Sequence, residues 1–159
     1  MDQTFQQMVE RYSLTLYRLA YSFCQNRQDA EDAVQEAFVR YLSTKKTFRD
    51  DDHLLNWLML VTANQCRDLL RSAWRRKRQD LDTLPELPAA APDTDTHLAV
   101  EAALQSLPPG YRGIVYLYYS EEFPIRRIAS SLGLSETAVR SRLSRARERL
   151  RQTLGGELE

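Results

Sequence analysis

One segment divides this chain of 159 residues into two parts. The stretch DTLPELPAAAPDTDT, residues 82–96, is rich in proline, alanine and acidic residues and shows no apolar periodicity. This composition predicts an extended linker, because it offers no apolar face to bury. We therefore expect two small helical domains, residues 1–78 and 96–159, joined by a flexible acidic linker at residues 79–95. The sequence leaves open whether the two domains pack together.

The apolar residues on both sides of the linker recur at helical spacing, and no segment alternates as a half-buried strand would. The predicted fold class is therefore all-α. The helices are expected over residues 5–23, 30–42, 53–74, 96–107, 109–120, 124–132 and 136–154. Asp29 and Asp52 are the expected N-caps of the second and third helices, because a short acidic side chain can accept hydrogen bonds from the first free amides.

The formal net charge of zero conceals a strong segregation of charge. Residues 1–80 carry 13 basic and 11 acidic side chains, residues 81–109 carry none and 5, and residues 110–159 carry 9 and 6. The first block ends in the basic run RSAWRRKR, residues 71–78. Two basic patches thus flank an acidic stretch, and the neutral total does not argue against a polyanionic partner.

Several function classes are not expected. No apolar run approaches the roughly 20 residues of a membrane span, and the N-terminus lacks the layout of a secretory signal. We therefore expect a cytoplasmic protein without direct membrane insertion. Cys24 and Cys66 lie far apart in the sequence and, with only His53 and His97 beside them, give no metal-ligand spacing. The two cysteines are interpreted as buried free thiols in a reducing compartment.

Catalytic motifs are missing from the sequence as well. It contains no Ser/His/Asp or Cys/His arrangement, no P-loop and no glycine-rich phosphate cradle. We expect no catalytic residues, no metal, no cofactor and no small-molecule substrate.

The segment AVRSRLSRARERLRQ, residues 138–152, is dense in arginine. A helical wheel at 100° per residue gives it one narrow apolar stripe, made of Val139, Leu143, Ala146, Leu150 and Leu154. Its opposite side carries Thr137, Ser141, Ser144, Arg145 and Glu148, with Arg140 and Arg142 on the flanks. A solvated amphipathic helix has the same pattern, whereas a coiled coil needs an apolar seam longer than about two heptads.

The residues before this helix favour DNA binding. PIRRIASSLGLSETAVRS, residues 124–141, contains a short helix, a Leu-Gly-Leu turn and Ser135 at an N-cap position. Two short helices joined by a glycine-containing turn form the helix-turn-helix pattern, whose second helix enters the DNA major groove. Gly133 suits a turn residue with positive φ. Arginines on such a helix can contact guanine or grip phosphates.

Two further faces in the first domain each admit two interpretations. In the second helix, Asp32, Gln35, Glu36 and Val39 lie opposite the buried side, either as a docking face for a basic protein or as a solvated face with one stray valine. In the third helix, one stripe could stack unpaired bases with the help of Phe48 and hold a nucleic-acid backbone; it consists of Trp57, Leu60, Asn64, Arg67 and Arg71. The alternative for Trp57 is an ordinary core position.

The sequence also resembles a known family. DAEDAVQEAFVRYL (29–42), the loop around Phe48 and LLNWLMLVTANQCRDLLRSAWRRKR (54–78) resemble the second conserved region of bacterial RNA polymerase sigma factors. LPPGYRGIVYLYYSEEFPIRRIASSLGLSETAVRSRLSRARERLRQ (107–152) resembles their fourth region. The order and spacing resemble the extracytoplasmic-function (ECF) class, group four of the sigma-70 family. The resemblance implies a non-enzymatic specificity subunit that directs core RNA polymerase to promoters.

The resemblance also implies partners and roles. The face of Asp32, Gln35, Glu36 and Val39 would dock on the clamp helices of the polymerase β′ subunit, and the β flap would be a further contact. Promoter DNA would be bound at its −10 element by Phe48, Asn64, Arg67, Arg71, Arg75 and Arg76, the first two handling a flipped base. The −35 element would be read by Thr137, Arg140, Ser141, Ser144 and Arg145, with Arg126 and Arg127 near phosphates. An anti-sigma factor is a common partner of this class.

The sequence departs from the family pattern at two places. Acidic residues are usual where Arg126 and Arg127 stand, and an apolar residue is common at the position of Ser144. Both differences concern which −35 sequence is read. The rival interpretation is a conventional helix-turn-helix regulator that acts without polymerase, and it predicts tight binding to a palindromic duplex.

Overall fold

The computed structural model describes residues 4–79 and 102–154. Within these ranges all regular structure is helical, as the sequence predicts. The α-helices are α1 (Phe5–Cys24), α2 (Arg27–Ser43), α3 (Asp51–Gln79), α4 (Pro109–Val115), α5 (Ile125–Leu132) and α6 (Glu136–Leu154). Residues 102–105 form a further helical turn, while the rest of the helix predicted over 96–107 and nearly all of the linker lie outside the described residues.

The two predicted N-caps are wrong by three and two residues. The side chain of Asn26 caps α2 by accepting a 3.0 Å hydrogen bond from the backbone N–H of Asp29. At α3, Asp50 accepts a 2.8 Å bond from the backbone N–H of His53. Asp29 and Asp52 instead lie inside the first turns of their helices, where a negative charge is still favourable next to the helix N-terminus.

The first half of the chain is a bundle of α1, α2 and α3 around one apolar core. The alanines at 30, 33 and 37 of α2 are fully buried, so the backbone of α2 lies close to its neighbours. The larger core side chains come mainly from α1 and α3, among them Leu16, Leu19, Phe23, Leu54, Leu58 and Met59. This packing fixes the rotation of α2 and turns its other side to solvent.

The helix predicted over residues 109–120 changes geometry before its end. From Tyr116 to Ser120 the chain is a π-helix, and the backbone N–H of Glu121 donates to the carbonyl of Tyr116 at 3.3 Å. The hydroxyl of Tyr116 also donates to the Glu121 carboxylate at 2.6 Å. This bond accompanies the wider turn, which helical spacing alone does not reveal.

The two halves of the chain pack against each other. Arg112 of α4 donates to the backbone carbonyls of Ser22 at 2.6 Å and Phe23 at 2.5 Å. Gly113 lies directly on the Phe23 ring, where an added Cβ would come within 2.6 Å of a ring carbon. Buried apolar residues from both halves form one continuous cluster. In this structure the two halves therefore pack together, a point that the sequence leaves open.

Candidate nucleic-acid and protein interfaces

The helix α6 presents the predicted DNA-reading face to solvent. Five side chains predicted to read DNA are all exposed: Thr137, Arg140, Ser141, Ser144 and Arg145. On the other side the predicted apolar stripe is buried at Val139, Leu143, Ala146 and Leu150, and half-buried at Leu154. An exposed stripe of arginines and small hydroxyl residues can approach base edges closely and donate hydrogen bonds to them.

The turn before α6 has the conformation that the sequence predicts. Gly133 ends α5 with φ +67°, in the left-handed region that favours glycine. The backbone N–H of Leu134 then donates to the carbonyl of Ala129 at 2.9 Å. Ser135 caps α6 by accepting a 3.0 Å bond from the backbone N–H of Ala138. Local hydrogen bonds thus set the angle between α5 and α6.

The two arginines of α5 have different environments. Arg126 is exposed. The Arg127 guanidinium lies over the Phe123 ring, 4.0 Å from its centre, and faces the first half of the chain. It pairs with Asp52 of α3 at 3.4 Å and donates to the side-chain oxygen of Asn56 at 3.3 Å. Of this predicted phosphate-binding pair, only Arg126 is therefore free for an outside ligand in this arrangement.

An aromatic cluster joins the loop before α3 to its first turns. The Phe48 ring lies 5.5 Å from Trp57, 6.1 Å from Tyr41 and 5.3 Å from His53, measured between ring centres. Phe48 and Trp57 are both half-buried. The expected neighbourhood of Phe48 and Trp57 is thus observed, and Trp57 lies at the edge of the core.

The rest of the predicted stripe on α3 is partly covered by α5. Asn64 is exposed, and its side-chain oxygen accepts a 2.9 Å bond from Arg67. Arg67 also donates to the carbonyl of Leu132 at 2.8 Å. Burial lowers the pKa of Arg67, and the nearby positive charges of Arg142 and Arg71 lower it further. The hydrogen bond to the Leu132 carbonyl therefore holds the partly buried Arg67 guanidinium in place.

Two other contacts, between α3 and the end of α5, cover more of this stripe. Leu60 lies against Gly133, where an added Cβ would come within 3.1 Å of a Leu60 methyl carbon. The Ser131 hydroxyl donates to the side-chain oxygen of Asn56 at 3.0 Å. The stripe remains open at Arg71, which is exposed and lies 3.7 Å from Asp68. Arg75 and Arg76 fall in the last turns of α3, where the side chains lie outside the described residues.

The face predicted for protein docking on α2 is open to solvent. Asp32, Gln35 and Val39 are exposed and Glu36 is partly exposed. The sequence interpretation missed two apolar neighbours, Leu14 of α1 and Leu42 at the end of α2, which are 56% and 63% exposed. With Val39, also 56% exposed, they add apolar area to this acidic face, where the Glu36 carboxylate pairs with Arg40 at 3.0 Å. Single exposed leucines carry no periodic signal, so helical spacing alone does not select them.

The structure adds two negative findings about the described residues. Within residues 4–79 and 102–154, every helix is too short or too polar to cross a lipid bilayer. In the same ranges, no three side chains of histidine, cysteine, aspartate or glutamate come together as metal ligands would.

Two family models match the chain, one before the acidic segment and one after it. Residues 8–76 match Sigma-70 region 2, and residues 97–150 match Sigma-70, region 4. The ECF RNA polymerase sigma factor SigE of Mycolicibacterium smegmatis is 34% identical over 95% of this chain, which spans 62% of that protein. The ECF RNA polymerase sigma factor SigM of Mycobacterium tuberculosis is 32% identical, with 95% of this chain and 77% of that protein covered.

The fold is similar to that of a solved complex. The sigma factor RpoE of Bartonella quintana, crystallised with the anti-sigma factor NepR, superposes with a TM-score of 0.76 at 24% identity. The match covers 96% of this chain and 98% of that one.

Proposed function

Because this chain belongs to the sigma-70 family as a factor of the ECF class, we propose that it binds core RNA polymerase and directs it to promoters. The observation that carries the proposal is the presence of both family regions in order, with the polar face of α6 exposed. The chain is a specificity subunit and not an enzyme. Polymerase supplies the chemistry of RNA synthesis.

The −35 element is proposed to be read by α6. Arg140 and Arg145 would donate to guanine edges or phosphates, while Thr137, Ser141 and Ser144 allow close approach to the groove floor. Arg126 would hold a flanking phosphate. A serine at 144 offers a hydrogen bond where an apolar residue is common in the family, and this favours a polar base edge over a thymine methyl group.

The −10 element is proposed to be captured by α3 and the loop before it. Phe48 and Asn64 would hold an unstacked base, with Arg67, Arg71, Arg75 and Arg76 along the backbone. Unstacking a base costs a few kcal/mol, and stacking on an aromatic ring partly offsets that cost. Since Arg67 is engaged with Leu132 in the packed arrangement, promoter capture requires α5 to leave α3. Arg67 would then exchange a carbonyl acceptor for a phosphate.

Core polymerase is proposed to dock on the acidic α2 face. Asp32 and Glu36 suit a basic partner helix, and Val39 with the exposed Leu42 supplies an apolar centre. The partner surface would be the β′ clamp helices, with the β flap as a second contact of the chain. The described hydrogen bonds between the halves use residues of α1 and α3, so docking on α2 does not use the same side chains.

An anti-sigma factor is proposed as a further partner. The support is the class itself and the packed arrangement, which such a partner could stabilise by binding across both halves. Held in this way, the factor would be kept off promoters in the cytoplasm or at a membrane-bound partner, and would associate with the nucleoid when released.

Run-off transcription tests the proposed function. Purified protein is added to core polymerase free of any sigma factor, with a fragment library from the source genome as template. Specific transcripts that need the protein are the expected result, and their start sites define the −35 and −10 elements. Tight sequence-specific duplex binding by the protein alone, with no polymerase binding, would instead establish the conventional helix-turn-helix regulator.

A further inference from the structure

The fold brings together the two cysteines that the sequence separates. Cys24 is the last residue of α1, and Cys66 lies near the middle of α3. The thiol of Cys66 reaches within 3.9 Å of the carbonyl of Ala20, one helical turn before Cys24. Because residues four apart share a helix face, Cys66 packs against the face of α1 that carries Cys24. The two thiols lie close enough for hydrogen bonding between them to shift the pKa of each.

The two thiols differ in access and in acidity. Cys66 is fully buried, whereas Cys24 is half-buried and reachable from solvent. The hydrogen bond with Cys66 lowers the pKa of Cys24, and the Arg112 guanidinium adds to this, against the opposing effects of burial and Asp29. The same hydrogen bond and burial raise the pKa of Cys66. Cys24 is therefore the thiol that ionises first, and Cys66 is a partner held next to it.

We propose that Cys24 and Cys66 form a reversible thiol–disulfide pair that a peroxide oxidises. The Cys24 thiolate attacks one oxygen of hydrogen peroxide; an S–O bond forms, the O–O bond breaks, and the hydroxide released takes up a proton to become water. The Cys66 sulfur then attacks the sulfenic sulfur of Cys24 and loses its proton, and the S–O bond breaks to release a second water. The dithiol loses two electrons and the peroxide gains them. A reduced dithiol reverses the reaction by exchange.

The position of the pair gives the disulfide a structural consequence. The carbonyls of Ser22 and Phe23, directly before Cys24, accept the hydrogen bonds of Arg112. Arg67, directly after Cys66, donates to Leu132. The end of α1 accepts the bonds of Arg112, and α3 carries Arg67, so both helices contact the second half of the chain. A Cys24–Cys66 bond would join these two helix segments. It fixes their spacing and stabilises the fold by closing a long loop.

The test uses the full chain and does not depend on its activity. Reduced protein is exposed to a small excess of hydrogen peroxide, unfolded, treated with an alkylating reagent and analysed by intact mass and peptide mapping. The expected product is a monomer lighter by two hydrogen atoms, with both cysteines protected from alkylation and both recovered after dithiothreitol. We also expect the Tm of the oxidised protein to exceed that of the reduced protein by roughly 5 °C or more.

Two single variants separate this pair from independent oxidation. Cys66→Ser should stop at a sulfenic acid on Cys24 that dimedone traps, and Cys24→Ser should leave Cys66 freely alkylated with no rise in Tm. Cys66→Ala replaces Cys66→Ser if the buried hydroxyl prevents folding, as judged by circular dichroism. Alkylation of both wild-type cysteines after peroxide, separate oxidation to sulfinic acids, or disulfide-linked dimers alone would each overturn the proposal. These outcomes are read from mass, so they are independent of the run-off transcription result.

Discussion

Arg67 of α3 donates a 2.8 Å hydrogen bond from its guanidinium to the backbone carbonyl of Leu132, the last residue of α5. The two residues belong to different regions of the family match, 8–76 and 97–150. Arg67 is proposed to bind the backbone of the promoter, and in this structure it instead holds the region that is proposed to read the −35 element. Arg127 makes the reciprocal contact. The sequence predicts it near a DNA phosphate, but in this structure it pairs with Asp52 of α3. The two regions therefore occupy part of each other's proposed DNA surfaces.

Replacing Gly113 should disturb this arrangement without affecting either region alone. A Cβ at 113 would lie 2.6 Å from the ring of Phe23, which is only 1% exposed and cannot yield. We expect Gly113→Ala to weaken the contact between the halves by about 1–3 kcal/mol, the usual cost of overpacking. Small-angle X-ray scattering should show a larger radius of gyration than for the unmodified protein.

Gly110→Ala is the matched control for this variant. Its added Cβ would meet only the end of the flexible Arg142 side chain, at 3.1 Å, so we expect unchanged dimensions and stability. An unchanged radius of gyration for Gly113→Ala, with a lowered Tm, would show that the halves unfold together and do not separate.

Tyr12 and Tyr116 differ in whether the hydroxyl has a hydrogen-bond partner, and this difference gives a prediction about stability. Among the described residues, the buried hydroxyl of Tyr12 has no hydrogen-bond partner, whereas that of Tyr116 donates to Glu121 at 2.6 Å. A buried hydroxyl without a partner has lost its water without compensation. We expect Tyr12→Phe to leave the free energy of unfolding unchanged or raised by up to about 1 kcal/mol, and Tyr116→Phe to lower it by about 1 kcal/mol. Urea unfolding measures both, and equal losses in the two variants would contradict the assignment.

The helix-turn-helix geometry of α5 and α6 could be predicted from the sequence because its determinants are local. The buried stripe of α6 follows from helical spacing, and the turn follows from Gly133 and Ser135 within a few residues of it. The same locality explains the errors at the caps. Asn26 and Asp29 are both good capping residues, and the sequence does not say which one precedes the first free amides.

The contacts between the halves could not be predicted in this way. Arg127 and Asp52 are 75 residues apart, and Arg67 and Leu132 are 65 apart. Each arginine is on a surface that its own helix leaves exposed, and the docking of α5 on α3 gives it a partner in the other half of the chain. The neighbourhood of Cys24 and Cys66 depends likewise on how α1 crosses α3, which periodicity does not determine.

The exposed polar face of α6, which is proposed to read the −35 element, gives a prediction about promoter binding. We expect Arg140→Ala and Arg145→Ala each to weaken binding of a −35 duplex by ~1–3 kcal/mol, because each removes a donor to a base edge or phosphate. Affinity for core polymerase should be unchanged. Duplex binding is measured by fluorescence anisotropy with the polymerase complex. Arg18→Ala, which removes one exposed arginine from α1, is the control for loss of positive charge, and an equal loss in it would point to non-specific attraction.

The acidic face of α2 gives the converse prediction. Asp32→Ala combined with Val39→Ala removes a charge and an exposed apolar contact, so we expect at least a tenfold loss of affinity for core polymerase in a pull-down titration. Neither side chain is buried, and the Tm should stay within 1–2 °C of the unmodified protein. Glu10→Ala, an exposed acidic position on α1, is the matched control. If the double variant kept full polymerase affinity while the Arg140→Ala variant lost it, the assignment of the two regions to their partners would be reversed.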